Sequence, residues 1–262
     1  MLLYLEYLPS LLVAMARIYP CAFLVPAFSF QHIRGLPRHV IVMVMALIPA
    51  PGIHAVMSGQ DYSALMICAL LLKEAALGIL LGVLLAMPFC MFESVGALLD
   101  NQRGALAGGQ LNPSLGPDAT PIGHLFKQLV IYLLIVMLGL SVLTQVIWDS
   151  YLIWPATAWL PLPAINGFSV FLGVLGDTFT HMMLYAAPFI AVLLFLEFGF
   201  AVLGLYSPQL QVSTLATPVK SLAGLGILLL YFPLLQDLIV TRMAQLADLK
   251  HSIGLMFQGV AP

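Results

Sequence analysis

Charge is what this sequence has least of. Across 262 residues there are nine Lys and Arg and eleven Asp and Glu, 8% of the chain, where a soluble domain carries about 25%. Too few charged groups remain to build a water-facing surface, which excludes a free soluble monomer. A disordered chain needs low hydrophobicity and high charge, so that class is excluded too, as is a collagen-like fibre. The net charge of −2 offers no basic field for nucleic acid. Cysteine is scarce as well. Cys21, Cys68 and Cys90 lie far apart in apolar runs and match no CxxC or His/Cys metal spacing, so they read as reduced, buried small hydrophobes. No Lys or Arg precedes Arg17, so the basic segment that opens a cleavable signal peptide is missing and the first apolar run reads as retained.

What is abundant is apolar sequence: 62% of residues, with a mean hydropathy of +1.06. A bilayer core of about 30 Å takes about 20 apolar residues as helix, and runs of that kind recur. They are Leu8 to Phe30, His39 to Met57, Tyr62 to Leu99, Ile122 to Trp148, Phe168 to Tyr206 and Ser221 to Val240. Tyr62 to Leu99 and Phe168 to Tyr206 are over-long, each either a helical hairpin or one bent helix. The fold class is therefore all-α, an integral membrane protein of six to eight long, partly bent helices or hairpins. No run alternates as a barrel strand must. No composition shift marks a boundary, so residues 1–262 read as one membrane-embedded domain.

Polar connections separate these runs: Gln31 to Arg38, Asp100 to Pro121, Asp149 to Gly167 and Ser207 to Lys220. Trp148, Trp154 and Trp159 resemble an interfacial aromatic belt. From Asp237 to Phe257 the spacing of Leu238, Met243, Leu246, Leu249, Ile253 and Leu255 suggests an amphipathic helix lying on a membrane or partner surface. The distribution of Lys and Arg over the loops places the N-terminus outside, although Arg242 and Lys250 break the same rule.

Several constellations stand out. Gly78 and Gly82 have the G-x-x-x-G spacing that lets membrane helices approach closely, and Gly104 and Gly108 repeat it at a loop edge. Glu93 and Glu197 lie deep in apolar sequence, where a carboxylate must find a partner. Two readings are open for them: a proton or ion relay, or a structural hydrogen bond or salt bridge to a neighbouring subunit. Lys73-Glu74 reads as a polar patch at a helix end. The six histidines show no metal-ligand spacing, and no G-x-S-x-G elbow or phosphate-cradling loop is present, so neither enzyme nor cofactor is expected.

The most distinctive sequence is Glu93-Ser-Val-Gly96-Ala-Leu-Leu-Asp100-Asn101-Gln102-Arg103-Gly104, followed by a loop with Asn112-Pro113. A second block runs Ser207-Pro208-Gln209-Leu210-Gln211-Val212 to Pro218-Val219-Lys220. With Lys73-Glu74, Gly78 and Gly82, and in this order, these blocks resemble the FliR/SctT family of bacterial type III export-gate proteins, over most of the chain. Asp-Asn-Gln-Arg-Gly is more similar to the injectisome branch than to the flagellar one. The sequence departs at Leu210 and Gln211, where the family often has Met and Asn.

The resemblance implies an inner-membrane subunit of a helical hetero-oligomer at the mouth of a secretion channel for unfolded proteins. Its partners would be R-type and S-type membrane subunits, the export-switch (U-type) and large gate (V-type) proteins, membrane lipid, and no nucleic acid. It further implies that the loop from about 104 to 121 helps to plug the closed channel. Gly104, Gly108, Gly109, Asn112, Pro113, Gly116 and Pro117 suit such an irregular segment. Assembly or buried polar contacts are expected of Lys73, Glu74, Gly78 and Gly82, of Glu93, Gly96, Asp100, Asn101, Gln102 and Arg103, and of Glu197, Pro208, Gln209 and Lys220. The alternative reading is a self-sufficient secondary transporter that couples ions through Glu93 and Glu197.

Overall fold

The computed structural model describes residues 2–28, 35–59, 62–104, 120–158, 167–206 and 212–257. Among them every regular element is helical: α1 (Leu2–Leu24), α2 (Leu36–Ala46), α3 (Ala50–Met57), α4 (Ala64–Gln102), α5 (Pro121–Leu133), α6 (Ser141–Ile153), α7 (Gly167–Tyr206), α8 (Val212–Ala244) and α9 (Leu249–Phe257). Five helical segments are long and apolar enough to cross a membrane, and a sixth is available if α2 and α3, bent by 65°, form one broken span. The chain is an all-α, multi-pass membrane protein.

Neither over-long run folds back on itself. α4 has 39 residues with Pro88 inside it, and α7 has 40 with Pro188 inside it. Proline is tolerated in an apolar helix where neighbouring groups satisfy the freed carbonyl, so among the described residues the count is five or six rather than eight. Proline also misleads at the last span. The expected loop from Ser207 to Lys220 ends early, because α8 starts at Val212 and carries Pro218 and Lys220 in its own helix. The reverse correction applies to Ile122–Trp148, expected as one run. There α5 loosens into a π turn at Leu134–Leu138, and Gly139, at a left-handed φ of 76°, breaks the chain before α6.

The chain divides into two compact units, passing between them within α4, α7 and α8 and at the break before α6. The first contains residues 1–87, 138–174 and 244–262. Its described core is built by Val13, Ile18 and Cys21 of α1, Val42 and Ala46 of α2, Leu81 and Leu85 of α4, Leu143 and Ile147 of α6, and Ile253 and Met256 of α9. The second contains residues 88–137 and 175–243. Phe89, Phe92 and Leu99 of α4 meet Phe126 and Val130 of α5, Phe189 and Leu193 of α7, and Leu235 and Ile239 of α8 in its core.

Three further expectations are corrected. The C-terminal stretch does not lie on a surface: Leu246, Leu249, Ile253 and Met256 are buried, α9 packs on α6, and Lys250 pairs with Asp149 at 3.1 Å. Of the expected stripe, Leu246, Leu249 and Ile253 are covered within the first unit, Leu255 stays exposed, and Leu238 and Met243 belong to α8. Of the cysteines only Cys21 is buried, while Cys68 and Cys90 are exposed on α4. The tryptophans do not form a simple interfacial belt. Trp148 donates its indole N–H to the Met45 carbonyl at 3.2 Å, the Trp154 ring lies 5.7 Å from Lys73 Nζ, and Trp159 lies outside the described residues.

Candidate functional site

The charged residues that sequence reading singled out gather into polar clusters, one in the first unit and a ladder in the second. In the first unit Glu74 is fully buried, ten residues into α4, and so does not mark a helix end. Its carboxylate receives Arg17 of α1 in a two-pronged pair, Nε to Oε2 at 2.7 Å and Nη2 to Oε1 at 3.1 Å. Arg17 also donates to Ser150 Oγ at 3.1 Å and to the Trp154 carbonyl at 3.0 Å, and its guanidinium lies 4.1 Å from the centre of the Tyr151 ring. Lys73 completes the cluster. Its Nζ lies 3.0 Å from Glu74 Oε1 and donates to the carbonyls of Ala156 and Ala158 at 2.6 and 2.7 Å. The cluster thereby ties α1, α4, α6 and the segment after α6 at one point. A planar fork that matches a carboxylate on one side and a carbonyl and a hydroxyl on the other is what arginine offers and lysine does not.

Tyr151 donates its hydroxyl to the Ala14 carbonyl at 2.7 Å. Burial pushes its phenol well above the ordinary tyrosine range, and the neighbouring Arg17 charge opposes the shift without cancelling it. The hydroxyl therefore remains a donor throughout the physiological range.

Gly78 and Gly82 sit directly below this cluster, where α4 crosses α1. A Cβ on Gly78 would collide with the Arg17 carbonyl oxygen, and one on Gly82 would lie 3.0 Å from Cys21 Cα. The small residues thus set the helix separation that lets Arg17 reach Glu74.

In the second unit Glu93, Gly96 and Asp100 recur at helical spacing on one face of α4, and α5 runs antiparallel against them. Lys127 pairs with Glu93 at 3.0 Å. A Cβ on Gly96 would lie 2.7 Å from the Ile122 carbonyl oxygen and 2.8 Å from Gly123 Cα. Asp100, fully buried, accepts the Ile122 backbone N–H at 2.7 Å and the Arg103 Nε–H at 2.8 Å. Thr120 caps the same helix start, its hydroxyl accepting the Gly123 N–H at 3.2 Å, with Pro121 in the first turn. Gly104, at φ 78°, ends α4 by donating its N–H to the Asn101 carbonyl. Asn101 is exposed and Gln102 half-buried in that last turn. The remaining candidates Gly108, Gly109, Asn112, Pro113, Gly116, Pro117, Pro208 and Gln209 lie outside the described residues.

α7 and α8 form an antiparallel pair held by Glu197–Lys220 at 3.1 Å, by the Phe189 and Tyr231 rings at 5.0 Å, and by Arg242–Asp177 at 2.9 Å. Glu93 and Glu197 therefore each have a lysine partner within this chain. Sequence reading missed Arg17, Gly123 and the Ile122 amide. The signals were present: a lone arginine in an apolar run must pair with a buried acid, and Thr-Pro marks a helix start. Among the described residues no group of three or more His, Cys, Asp or Glu side chains gathers as a metal site. These contacts join helices.

Residues 8–246 match the family described as Bacterial export proteins, family 1. The chain belongs to this family. It is 31% identical to the Yop proteins translocation protein T of Yersinia pestis over 219 residues, 82% of each chain. It is 30% identical to the Surface presentation of antigens protein SpaR of Salmonella typhimurium over 225 residues, 85% of this chain and 82% of the relative. The Flagellar biosynthetic protein FliR of Pectobacterium carotovorum is more distant, at 24% over 185 residues and 70% of each chain. That ranking agrees with the reading of Asp100-Asn-Gln-Arg-Gly104 as the injectisome pattern. Both polar clusters fall within the matched stretch of this export family.

Proposed function

We propose that the chain is an export-gate subunit of a bacterial type III protein secretion system, helping to form and close the entrance of the channel for unfolded substrates. The observation that carries this reading is the α4–α5 clamp. Asp100 binds the Ile122 amide and Gly96 lies against Gly123, and together they hold the last turn of α4 against the first turn of α5, the described flanks of the stretch from about 104 to 121 that the family resemblance implies is plug-like. The subunit works without chemistry of its own. It sits in the inner membrane within an assembly that projects to the periplasmic side, with R-type and S-type subunits beside it and the U-type and V-type proteins nearby.

The pairing of Glu93 with Lys127 and of Glu197 with Lys220 supports a structural role for both carboxylates rather than the ion relay of a self-sufficient transporter. Deleting Ala107–Pro117 tests the gate directly. Membranes holding the assembled deletion variant should leak ions and small solutes that the wild type retains. Unchanged leakage with an intact assembly would overturn the plugging role. Uptake of substrate by the purified chain alone in liposomes would favour the transporter instead.

A further inference from the structure

Where α2 turns into α3, the first unit leaves a cavity of about 410 Å³ between that corner and α6. Small-molecule sites have volumes of about 300–1,000 Å³. The walls of this one are held in place. Pro49 has no N–H to offer the Met45 carbonyl one turn back, and the Trp148 indole supplies the donor instead, at 3.2 Å. That bond fixes the 65° corner against α6. Across the cavity, Tyr151 is tied to the Ala14 carbonyl, and the wall at 155–157 is pinned through the Ala156 carbonyl by Lys73 at 2.6 Å. Gly52 keeps the interior open: a Cβ built there meets no described atom within 4 Å.

The lining selects the occupant. Ile48, Val56 and Leu152 line the cavity and are exposed, so its walls stay apolar out to the mouth. Facing water, such a mouth would be an uncovered apolar patch; facing hydrocarbon, it admits an apolar chain. α2 and α3 together are apolar enough to form one broken span, which sets their corner among lipids. A helix is about 10–12 Å across with its side chains, so this volume holds about one turn of it. A flexible methylene chain fits without that limit.

The cavity also has a polar end. Asp149 lines it, and the Asp149 Oδ2 lies 3.1 Å from Nζ of Lys250, a half-exposed side chain on α9. A carboxylate has further acceptor sites and an ammonium has three donors, so each can take a second partner. Because the two charges cancel, a headgroup with both signs can pair each with its opposite, whereas a net anion sets itself against Asp149.

We propose that this cavity binds a zwitterionic phospholipid, with an acyl chain between α3 and α6, the headgroup ammonium on Asp149 and its phosphate on Lys250. The lipid fills the corner that Pro49 opens and so braces the bend. The site stands whether or not the chain gates a channel.

The test takes the full chain, purified with the membrane proteins that accompany it, into vesicles of phosphatidylethanolamine and phosphatidylglycerol. A trace of phosphatidylethanolamine carries a diazirine in its acyl chain. Irradiation should place adducts on residues 48–56 and 148–157 in several-fold excess over exposed α8 positions such as Leu229 and Leu230. Gly52→Leu fills the cavity from the one position whose Cβ has room, and should cut that excess by about tenfold while leaving α8 labelling unchanged. A phosphatidylglycerol probe with the same chain should label the cavity several-fold less. Even labelling along the chain, an unchanged excess in a folded Gly52→Leu variant, or equal labelling by the two headgroups would overturn the proposal. A single symmetric elution peak in detergent reports that the variant folds; should it not fold, the adduct map of the unaltered chain decides alone. A benzophenone amino acid at Gly52, irradiated in the membrane of its own bacterium, should give a lipid adduct, and an adduct with another protein there would overturn the proposal.

Discussion

The carboxylate of Asp100, in the last turn of α4, accepts the backbone N–H of Ile122 in the first turn of α5 at 2.7 Å. One side chain therefore serves two ends. It satisfies an amide that a helix start leaves open, placing negative charge at the positive end of α5, and it holds Arg103 beside it. Twenty-two residues apart in sequence, the two groups turn α4 and α5 into a closed hairpin. Gly96 and Gly123 let the backbones meet one turn below.

Asp100→Ala should be strongly destabilising, because it leaves a buried amide without its acceptor and Arg103 without its counter-charge, at a cost of about 3–5 kcal/mol. Asp100→Asn keeps an acceptor for Ile122 and loses only the charge, so its cost should be about 1–2 kcal/mol. Unfolding midpoints in mixed detergent micelles would rank them. Equal costs for Ala and Asn would show that the amide contact contributes nothing separate from the ion pair.

The helices were legible in the sequence because they are long and apolar. Gly78 and Gly82 could be picked out because small residues at that spacing have a mechanical meaning in a membrane. The pairings were not legible. Arg17 finds Glu74 across 57 residues, and nothing in the local pattern of either run names the other. Pro218 and Lys220 looked like loop because proline and charge usually are, whereas α8 carries both at the level where Lys220 meets Glu197. The C-terminal stripe gave the right period and the wrong surface. An amphipathic face states that it must be covered, and only tertiary structure showed that α6 covers it.

Gly78→Ala should cost about 1–3 kcal/mol, since the added methyl meets the backbone carbonyl of Arg17, which no rotamer change can move. Gly226, also helical but in α8, has no atom within 4 Å of a built Cβ. There the same substitution should be neutral or stabilise by up to about 1 kcal/mol through helix propensity alone. The pair of variants separates close packing from propensity, and the same midpoints read it. A Gly78 variant as stable as the Gly226 one would mean that α1 and α4 do not press together at that point.

Tyr151 predicts a loss of stability on the alkaline side. Its phenol is raised above the ordinary value of 10.0 by burial, so between that value and its higher folded-state value the native state holds a proton that the unfolded chain has released. The stabilisation is complete below pH 10 and is lost as pH rises beyond it. Tyr151→Phe should remove this component, at a cost of about 0.5–1.5 kcal/mol at neutral pH for the lost bond to Ala14. Stability curves of the two proteins from neutral to strongly alkaline pH should converge. Parallel curves would exclude Tyr151 as the titrating group.

Arg17 and Glu74 should respond asymmetrically, and the cause is Lys73. Removing the carboxylate by Glu74→Ala leaves two cations together in the interior, which should cost about 3–5 kcal/mol. Arg17→Met leaves Glu74 still held by Lys73 at 3.0 Å, so the acid keeps a counter-charge. The loss then should stay nearer about 1–3 kcal/mol, the cost of unpaired neutral partners. Replacing both, as Arg17→Met with Glu74→Leu, removes the charge pair and refills the space, and should recover much of what Glu74→Ala alone loses. Lys73 remains in place through the carbonyls of Ala156 and Ala158. A double variant whose loss equals the sum of those of Arg17→Met and Glu74→Leu made singly would show that the two residues act independently, against the two-pronged contact that joins them.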